Sequence, residues 1–343
     1  MKSDDNMREN YIDVAKGIGI ILVIAGHLFP YGENISSTIF SFHMPLFFFL
    51  AGMVYKEKCV TNKEFIEKKT KRLIIPYLKF LSLGLIITLI IKPWRDELSF
   101  RRVLIDMYLA APNSLHVGQI WFLVCLFNVS VIFFFLNKYI RNRGYKTKGK
   151  IIILIGISVV AELISLIIRD GFPYLPLKID AAVMALVFYA FGYWVVSDTN
   201  SSFLKLRTNI NININIIVLL LVVSFSWCNG WSNIADLNFH NPVLYLFFAF
   251  SGITLTVLLS KRLENIVFLQ FIGRNSLEIF ALHSFGLYGY STALSYWLGT
   301  DIIFGINMPY VFCMVGTVFI LLLMMIEVVI RKNVSKHWDD FVR

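Results

Sequence analysis

The sequence predicts an all-α integral membrane protein with about ten transmembrane helices and both termini in the cytoplasm. Of its 343 residues, 57% are hydrophobic and only 16% are charged, which leaves too few polar side chains to cover a soluble globule. Apolar stretches of about 20 residues, the length that crosses a bilayer, recur along the chain. Lysine and arginine also concentrate in alternate connecting segments, as they do in multi-pass proteins.

The expected spans follow one another along nearly the whole chain. They cover about 11–31, 38–55, 73–92, 118–137, 150–168, 180–197, 213–229, 242–260, 276–297 and 307–330. With the N-terminus inside, the inner segments carry 24 lysines and arginines and the outer segments carry 6. Because short cytoplasmic loops retain positive charge, this ratio predicts that both termini are inside. The net charge of +10 then faces anionic lipid, and no nucleic-acid partner is indicated.

The domain organisation is predicted to be simple. Residues 1–343 form one membrane domain, and 331–343 are its short basic cytoplasmic tail. The four cysteines are scattered singly, so neither a disulfide framework nor a metal site is indicated. The stretch TNKEFIEKKTKR at 61–72 opens with a capping box and predicts a basic cytoplasmic helix, and 98–111 predicts an amphipathic outer helix. Anchoring at the lipid surface is the simpler interpretation of both.

The first span, DVAKGIGIILVIAGHLFPY at 13–31, carries three ionisable residues. At about 100° per residue, Asp13, Lys16 and His27 share one helix face, and Lys16 lies ~16 Å from His27 along the axis. Asp13 fits an ordinary first-turn acid, and Lys16 fits a side chain that snorkels to the inner interface. His27 is harder to explain structurally, because an imidazole within a span is rare and is a natural proton acceptor. From the spacing alone, His27 has either a chemical or transport role or a structural one.

The second span adds a histidine at a similar depth. His43 lies near the outer end of SFHMPLFFFLAGMVY, where it either shares a cavity with His27 or is a satisfied structural residue. Pro45 is expected to loosen this helix and free a backbone carbonyl.

These motifs together resemble a known family. The first runs from Asp13-x-x-Lys16-Gly17 to Gly26-His27, and the second is FHMPLFFFLAG at 42–52. The others are Arg72 with Pro76-Tyr77 four residues later, Trp-Phe-Leu at 121–123 and GRNSLEIFALH at 273–283. The chain resembles the membrane acyltransferase type 3 family, and within it the fucose 4-O-acetylase-like branch, over about residues 10–330. The spacing from Lys16 to His27 corresponds to the family's Arg/Lys-x10-His signature.

The resemblance implies transfer of an acyl group, usually acetyl from acetyl-CoA, to a hydroxyl of a cell-surface glycan or lipid-linked saccharide in a bacterial plasma membrane. Lys16, Lys69, Lys71 and Arg72 are suitable contacts for the phosphates of the acyl-CoA donor. His27 is the expected general base, with Lys16 in support, and an acyl-histidine intermediate remains the alternative.

Other residues receive weaker predictions. Glu162 either orients a group or contacts the acceptor, or it pairs with another helix, and Trp121 either anchors in headgroups or stacks on a sugar. Arg274 and Asn275 either cap the ninth span, which is the favoured interpretation, or contact the donor. His283 either lines the cavity or is a packed histidine. A transporter or flippase, and an inactive relative within an export complex, remain the rival functions. The sequence does not identify the acceptor or the oligomeric state.

Overall fold

A computed structural model describes residues 10–56, 61–91, 100–111, 113–197 and 212–342. Within these ranges the chain is almost entirely helical, and an isolated bridge between Asn233 and Asn238 is the one strand-type pairing. The helices are α1 (Asn10–Leu28), α2 (Asn34–Phe40), α3 (His43–Met53), α4 (Asn62–Lys69), α5 (Ile75–Ile91), α6 (Phe100–Leu109), α7 (Trp121–Asn142), α8 (Thr147–Arg169), α9 (Ile179–Ser197), α10 (Ile212–Ser224), α11 (Pro242–Arg262), α12 (Val267–Arg274), α13 (Ser276–Leu298) and α14 (Tyr310–Val342).

Eight helical stretches among the described residues are long and apolar enough to cross a membrane, which confirms the predicted fold class. They are Asn10–Leu28, Asn34–Met53, Asn62–Ile90, Gly118–Asn142, Thr147–Arg169, Pro176–Trp194, Pro242–Arg262 and Tyr310–Val334. Two of the ten predicted spans are not among the eight. The seventh coincides with a shorter apolar helix, and the ninth coincides with α13, whose serines, tyrosines and histidine lower its mean hydropathy. The cytoplasmic placement of both termini stays a prediction.

The helices pack as two compact units. The first unit contains α1, α2, α10, α12, α13 and α14, together with His43 and the part of α11 from Leu246 onward. The second unit contains α3 from Met44, helices α4 to α9 and the segment Ser232–Tyr245.

Glycines allow helices to approach closely inside each unit. In the first unit, a Cβ atom added to Gly17 of α1 would lie 3.1 Å from the carbonyl carbon of Leu269 and closer still to its oxygen. In the second unit, a Cβ atom added to Gly52 of α3 would lie 2.8 Å from the carbonyl carbon of Tyr189. A larger residue at either position would push the two helices apart. Small residues allow such close contacts between helices in membranes.

The structure corrects the expected effect of Pro45. Helix α2 ends at Phe40 and α3 begins at His43, so Pro45 lies in the first turn of a new helix. Proline is tolerated there because the first amides of a helix have no intrahelical acceptor. Pro45 therefore starts a helix and does not loosen one.

The junction between α4 and α5 was only partly foreseen. The capping box forms as predicted, with the Glu64 amide donating to Thr61 Oγ1 at 3.2 Å and the Thr61 amide donating to Glu64 Oε2 at 2.8 Å. A π-helical turn, Thr70–Ile74, then joins the two helices, and it contains Lys71 and Arg72. Such turns are rare and frequently mark functional sites.

Candidate functional site

His27 lies in the last turn of α1, in the first unit, and is half-buried. Its Nδ1 atom lies 3.0 Å from the hydroxyl oxygen of Tyr31, four residues further along the chain. The edge of the ring also meets Phe40, with 5.6 Å between the ring centroids. Because the phenol occupies Nδ1, the nitrogen that remains for a ligand is Nε2.

Tyr31 is held in place by its backbone and by its neighbours. Its amide donates to the Gly305 carbonyl at 2.8 Å, and the Gly305 amide donates to the Leu28 carbonyl at 3.2 Å. Gly305 has a φ of 72° and lies against the Tyr31 ring, a position that only glycine fills without strain. The indole of Trp231 completes an aromatic wall, 5.2 Å from the Tyr31 ring and 4.2 Å from the Phe40 ring.

A second imidazole, His283 of α13, lies beside His27. The two ring centroids are 5.5 Å apart and the ring planes are inclined by 31°. His283 is 0% exposed, and its Nδ1–H donates to the Phe280 carbonyl at 2.6 Å. Because a carbonyl only accepts, this bond assigns the proton to Nδ1 and leaves a lone pair on Nε2.

His43, the first residue of α3, is also buried beside this cluster. Its Nδ1–H donates to the Ile39 carbonyl at 2.9 Å, and its ring packs against Phe40 with 4.7 Å between centroids. The three imidazoles are close enough to interact electrostatically. The structure thus brings together His27, His43 and His283, each of which the sequence had suggested for a shared cavity, and it adds Tyr31 to them. We call these four residues the histidine cluster.

The other end of α1 carries a polar network with a different character. Asp13 is 1% exposed, and its Oδ2 accepts from Arg274 Nε at 3.1 Å. The same guanidinium donates to Gln270 Oε1 at 3.0 Å and to Asn10 Oδ1 at 3.3 Å. Asp13 therefore joins α1 to α12 and has a partner that the sequence did not suggest.

Arg274 and Asn275 do not cap α13 as expected. The Asn275 side chain donates to the Phe271 carbonyl at 2.7 Å and accepts from Lys332 Nζ at 2.6 Å, while Arg274 pairs with Asp13. No side-chain hydrogen bond closes the first turn of α13. The cap was expected from sequence position alone, and partners in α1, α12 and α14 use these groups instead.

Lys16 lies one turn beyond Asp13 and is half-buried. Helix α1 continues without interruption from Asn10 to Leu28, so the rise of 1.5 Å per residue places Lys16 ~16 Å from His27 along the axis. The distance predicted from the sequence assumed a continuous helix between Lys16 and His27, and the structure has one.

The remaining basic residues predicted to bind the donor belong to the second unit. Lys69 Nζ donates to Ser130 Oγ at 3.2 Å and lies 5.6 Å from the Phe65 ring centroid. Lys71 and Arg72 are exposed and line an open depression of about 500 Å³. Lys69 therefore points toward α7, whereas Lys71 and Arg72 face the depression.

Trp121 and Glu162 also belong to the second unit. Trp121 is only 9% exposed, and the ammonium of Lys178 lies 6.0 Å from its ring centroid, so the indole does not have the exposure that headgroup anchoring requires. Glu162 Oε1 lies 3.6 Å from Arg169 Nη2 of the same helix, α8. The expected pairing of Glu162 with another helix is therefore replaced by an ion pair within α8.

The protein is a multi-pass membrane protein, because both units contain helices that are long and apolar enough to span a membrane. Its candidate site is the histidine cluster in the first unit. The family model described as an acyltransferase domain, that of the type 3 acyltransferases, matches residues 9–326. The chain belongs to this family and is a membrane acyltransferase. No curated protein and no solved structure matched the chain in the same comparisons.

Proposed function

We propose that this acyltransferase transfers acetyl from acetyl-CoA to a hydroxyl of a cell-surface glycan or lipid-linked saccharide, as in the fucose 4-O-acetylase-like branch. The observation that carries the proposal is the orientation of His27 by Tyr31, within a family of acyltransferases. A half-buried imidazole with one nitrogen occupied by a phenol is a suitable base for a hydroxyl group.

In the proposed chemical step, His27 is the general base. Nε2 takes the proton of the acceptor hydroxyl while the oxygen attacks the thioester carbonyl carbon. The tetrahedral intermediate then expels the thiolate of coenzyme A, which takes the proton back from the imidazolium. One C–O bond forms and one C–S bond breaks, and the products are an ester and a free thiol. Tyr31 holds the ring orientation throughout.

The donor is expected to bind through its phosphates. Lys71 and Arg72 have the charge and exposure for this role, and the π-helical turn presents both. Lys69 and Lys16 are further proposed contacts to the donor, and Lys16 also supports His27. His43, Trp121 and Glu162 are kept as proposed contacts to the acceptor.

The plasma membrane and the cytoplasmic placement of both termini are proposed on the distribution of lysine and arginine. Fluorescent-protein and alkaline-phosphatase fusions at the C-terminus test this orientation. A fluorescent fusion that is active and a phosphatase fusion that is inactive are expected, and the reverse pattern would contradict it.

The test of the function uses cells that lack the protein, complemented with wild type, His27→Ala or the exposed control His240→Ala. We expect mass spectrometry of surface glycans to show an acetyl ester with wild type and with the control, and none with His27→Ala at equal membrane abundance. Glycans that stay unmodified with wild type would refute acetyl transfer. If glycan also accumulates inside the deleted strain, a transporter or flippase replaces the proposal.

A rapid acid quench distinguishes the two chemical routes. Direct transfer predicts no acyl mass on the peptide that contains His27, whereas an acyl-histidine intermediate adds the acyl mass there before acceptor is supplied.

A further inference from the structure

His283 presents a buried hydrogen-bond acceptor that the proposed chemistry does not use. Its Nε2 atom has no hydrogen-bond partner among the described residues, and the side chain is fully buried. The bond from Nδ1–H to the Phe280 carbonyl keeps the lone pair on Nε2. Buried polar atoms are nearly always satisfied, so this acceptor indicates a donor that the described residues do not supply.

The position of this acceptor relates it to the proposed reaction centre. The ring centroids of His27 and His283 are 5.5 Å apart. A hydroxyl oxygen lies about 2.8 Å from a nitrogen to which it hydrogen-bonds. This spacing of the rings allows two hydroxyl groups, one hydrogen-bonded to each imidazole, to lie within a few ångströms of each other, as neighbouring hydroxyls on one sugar ring do.

The neighbouring aromatic rings favour a ligand with an apolar side as well. Phe40 contacts His27, and Trp231 packs on Phe40 and Tyr31. Aromatic faces suit the C–H-rich face of a sugar, while the imidazoles suit its hydroxyls.

We propose that His283 accepts a hydrogen bond from a second acceptor hydroxyl, adjacent to the hydroxyl that is acylated, so that the enzyme selects vicinal diols. This inference rests on the proposed function. The second hydroxyl donates its proton to Nε2 of His283, and this bond turns the ring so that its neighbour faces His27. The acceptor class is therefore a sugar with two adjacent free hydroxyls, and not an isolated alcohol.

The experiment compares an acceptor with and without the second hydroxyl. NMR of the glycan from complemented cells identifies the acetylated carbon. The acceptor repeat unit is then prepared as such and with the adjacent hydroxyl replaced by hydrogen. Acetyl transfer from acetyl-CoA is measured for the purified full chain, for His283→Ala and for His283→Gln, whose amide oxygen can accept a similar bond.

We expect the missing hydroxyl to lower kcat/KM about 10- to 100-fold for wild type. The same change is expected to alter kcat/KM less than about twofold for His283→Ala, because the acceptor atom that would be left unpaired is absent. His283→Gln is expected to keep part of the discrimination. A packing role for His283 would lower the activity of the variants without changing their preference between the two acceptors.

Three results would overturn the inference. The first is an acetylated carbon with no free hydroxyl beside it, and the second is equal use of both acceptors by wild type. If His283→Ala does not fold, the ratio of kcat/KM between the two acceptors, measured for wild type and for His283→Gln, still tests the inference. The third is wild type that transfers no acetyl group at all, which refutes the proposed function and removes the basis of the inference.

Discussion

The contact between α1 and α12 predicts a loss of stability for Gly273→Ala. A Cβ atom added at this position would lie 2.6 Å from the carbonyl carbon of Asp13 and closer still to its oxygen. Real Cβ atoms essentially never approach other heavy atoms to less than 3.0 Å, and the obstacle is backbone. The two helices must therefore separate.

The magnitude follows from two opposing contributions. Overpacking of this kind costs about 1–3 kcal/mol, whereas replacing glycine by alanine within a helix gains up to about 1 kcal/mol. Gly289 of α13 is a matched control, because a Cβ atom added there meets nothing within 4 Å. Because the gain from alanine applies to both variants, their free energies of unfolding should differ by the overpacking cost alone, about 1–3 kcal/mol.

Thermal unfolding in one detergent, followed by size-exclusion chromatography, measures this difference. At about 2–4 °C per kcal/mol, the apparent Tm of Gly273→Ala is expected to fall about 2–12 °C below that of Gly289→Ala. Equal melting temperatures would refute the close contact, and with it the placement of α12 against α1.

Three further predictions concern single side chains. Arg274→Ala leaves the buried Asp13 carboxylate without its half-exposed guanidinium partner and should destabilise the protein by about 1–3 kcal/mol, measured as a lower Tm in detergent; an unchanged Tm would contradict this. Tyr31→Phe removes the hydroxyl at His27 Nδ1 and should lower kcat about 3- to 10-fold with little change in KM, and a change in KM alone would argue against an orienting role. Arg72→Ala should raise the KM for acetyl-CoA about 10-fold at low ionic strength and less at high salt, and a KM that does not change at low salt would exclude Arg72 from the donor site.

The helices were predictable because a segment that crosses a bilayer must be apolar over about 20 residues, and such stretches can be found by counting residues in the sequence. An apolar stretch of about 20 residues is local in sequence, and each of the ten predicted spans overlaps at least one helix. Helix ends were less predictable. The break between Phe40 and His43 and the π-helical turn at 70–74 depend on local backbone geometry that hydropathy does not report.

The site was only partly predictable, because its contacts join distant parts of the chain. His27 was predicted because an imidazole in a span is unusual. Tyr31 is four residues away and carried a local signal, but its aromatic ring at a helix end also fitted a membrane interface. The contact of His27 with His283 spans two helices far apart in sequence, and spacing within α1 carries no information about it.

The opposite ends of α1 show why a shared helix face does not imply a shared role. Helical periodicity placed Asp13, Lys16 and His27 on one side, which is consistent with a continuous helix. The partners then differ: the buried Asp13 carboxylate is neutralised by a guanidinium from α12, whereas His27 meets a phenol and a second imidazole. The ion pair between this carboxylate and Arg274 joins α1 to α12, so it suits assembly of the unit. An imidazole whose Nδ1 is occupied by a phenol keeps Nε2 for a ligand, so the chemistry of this helix is expected at the His27 end.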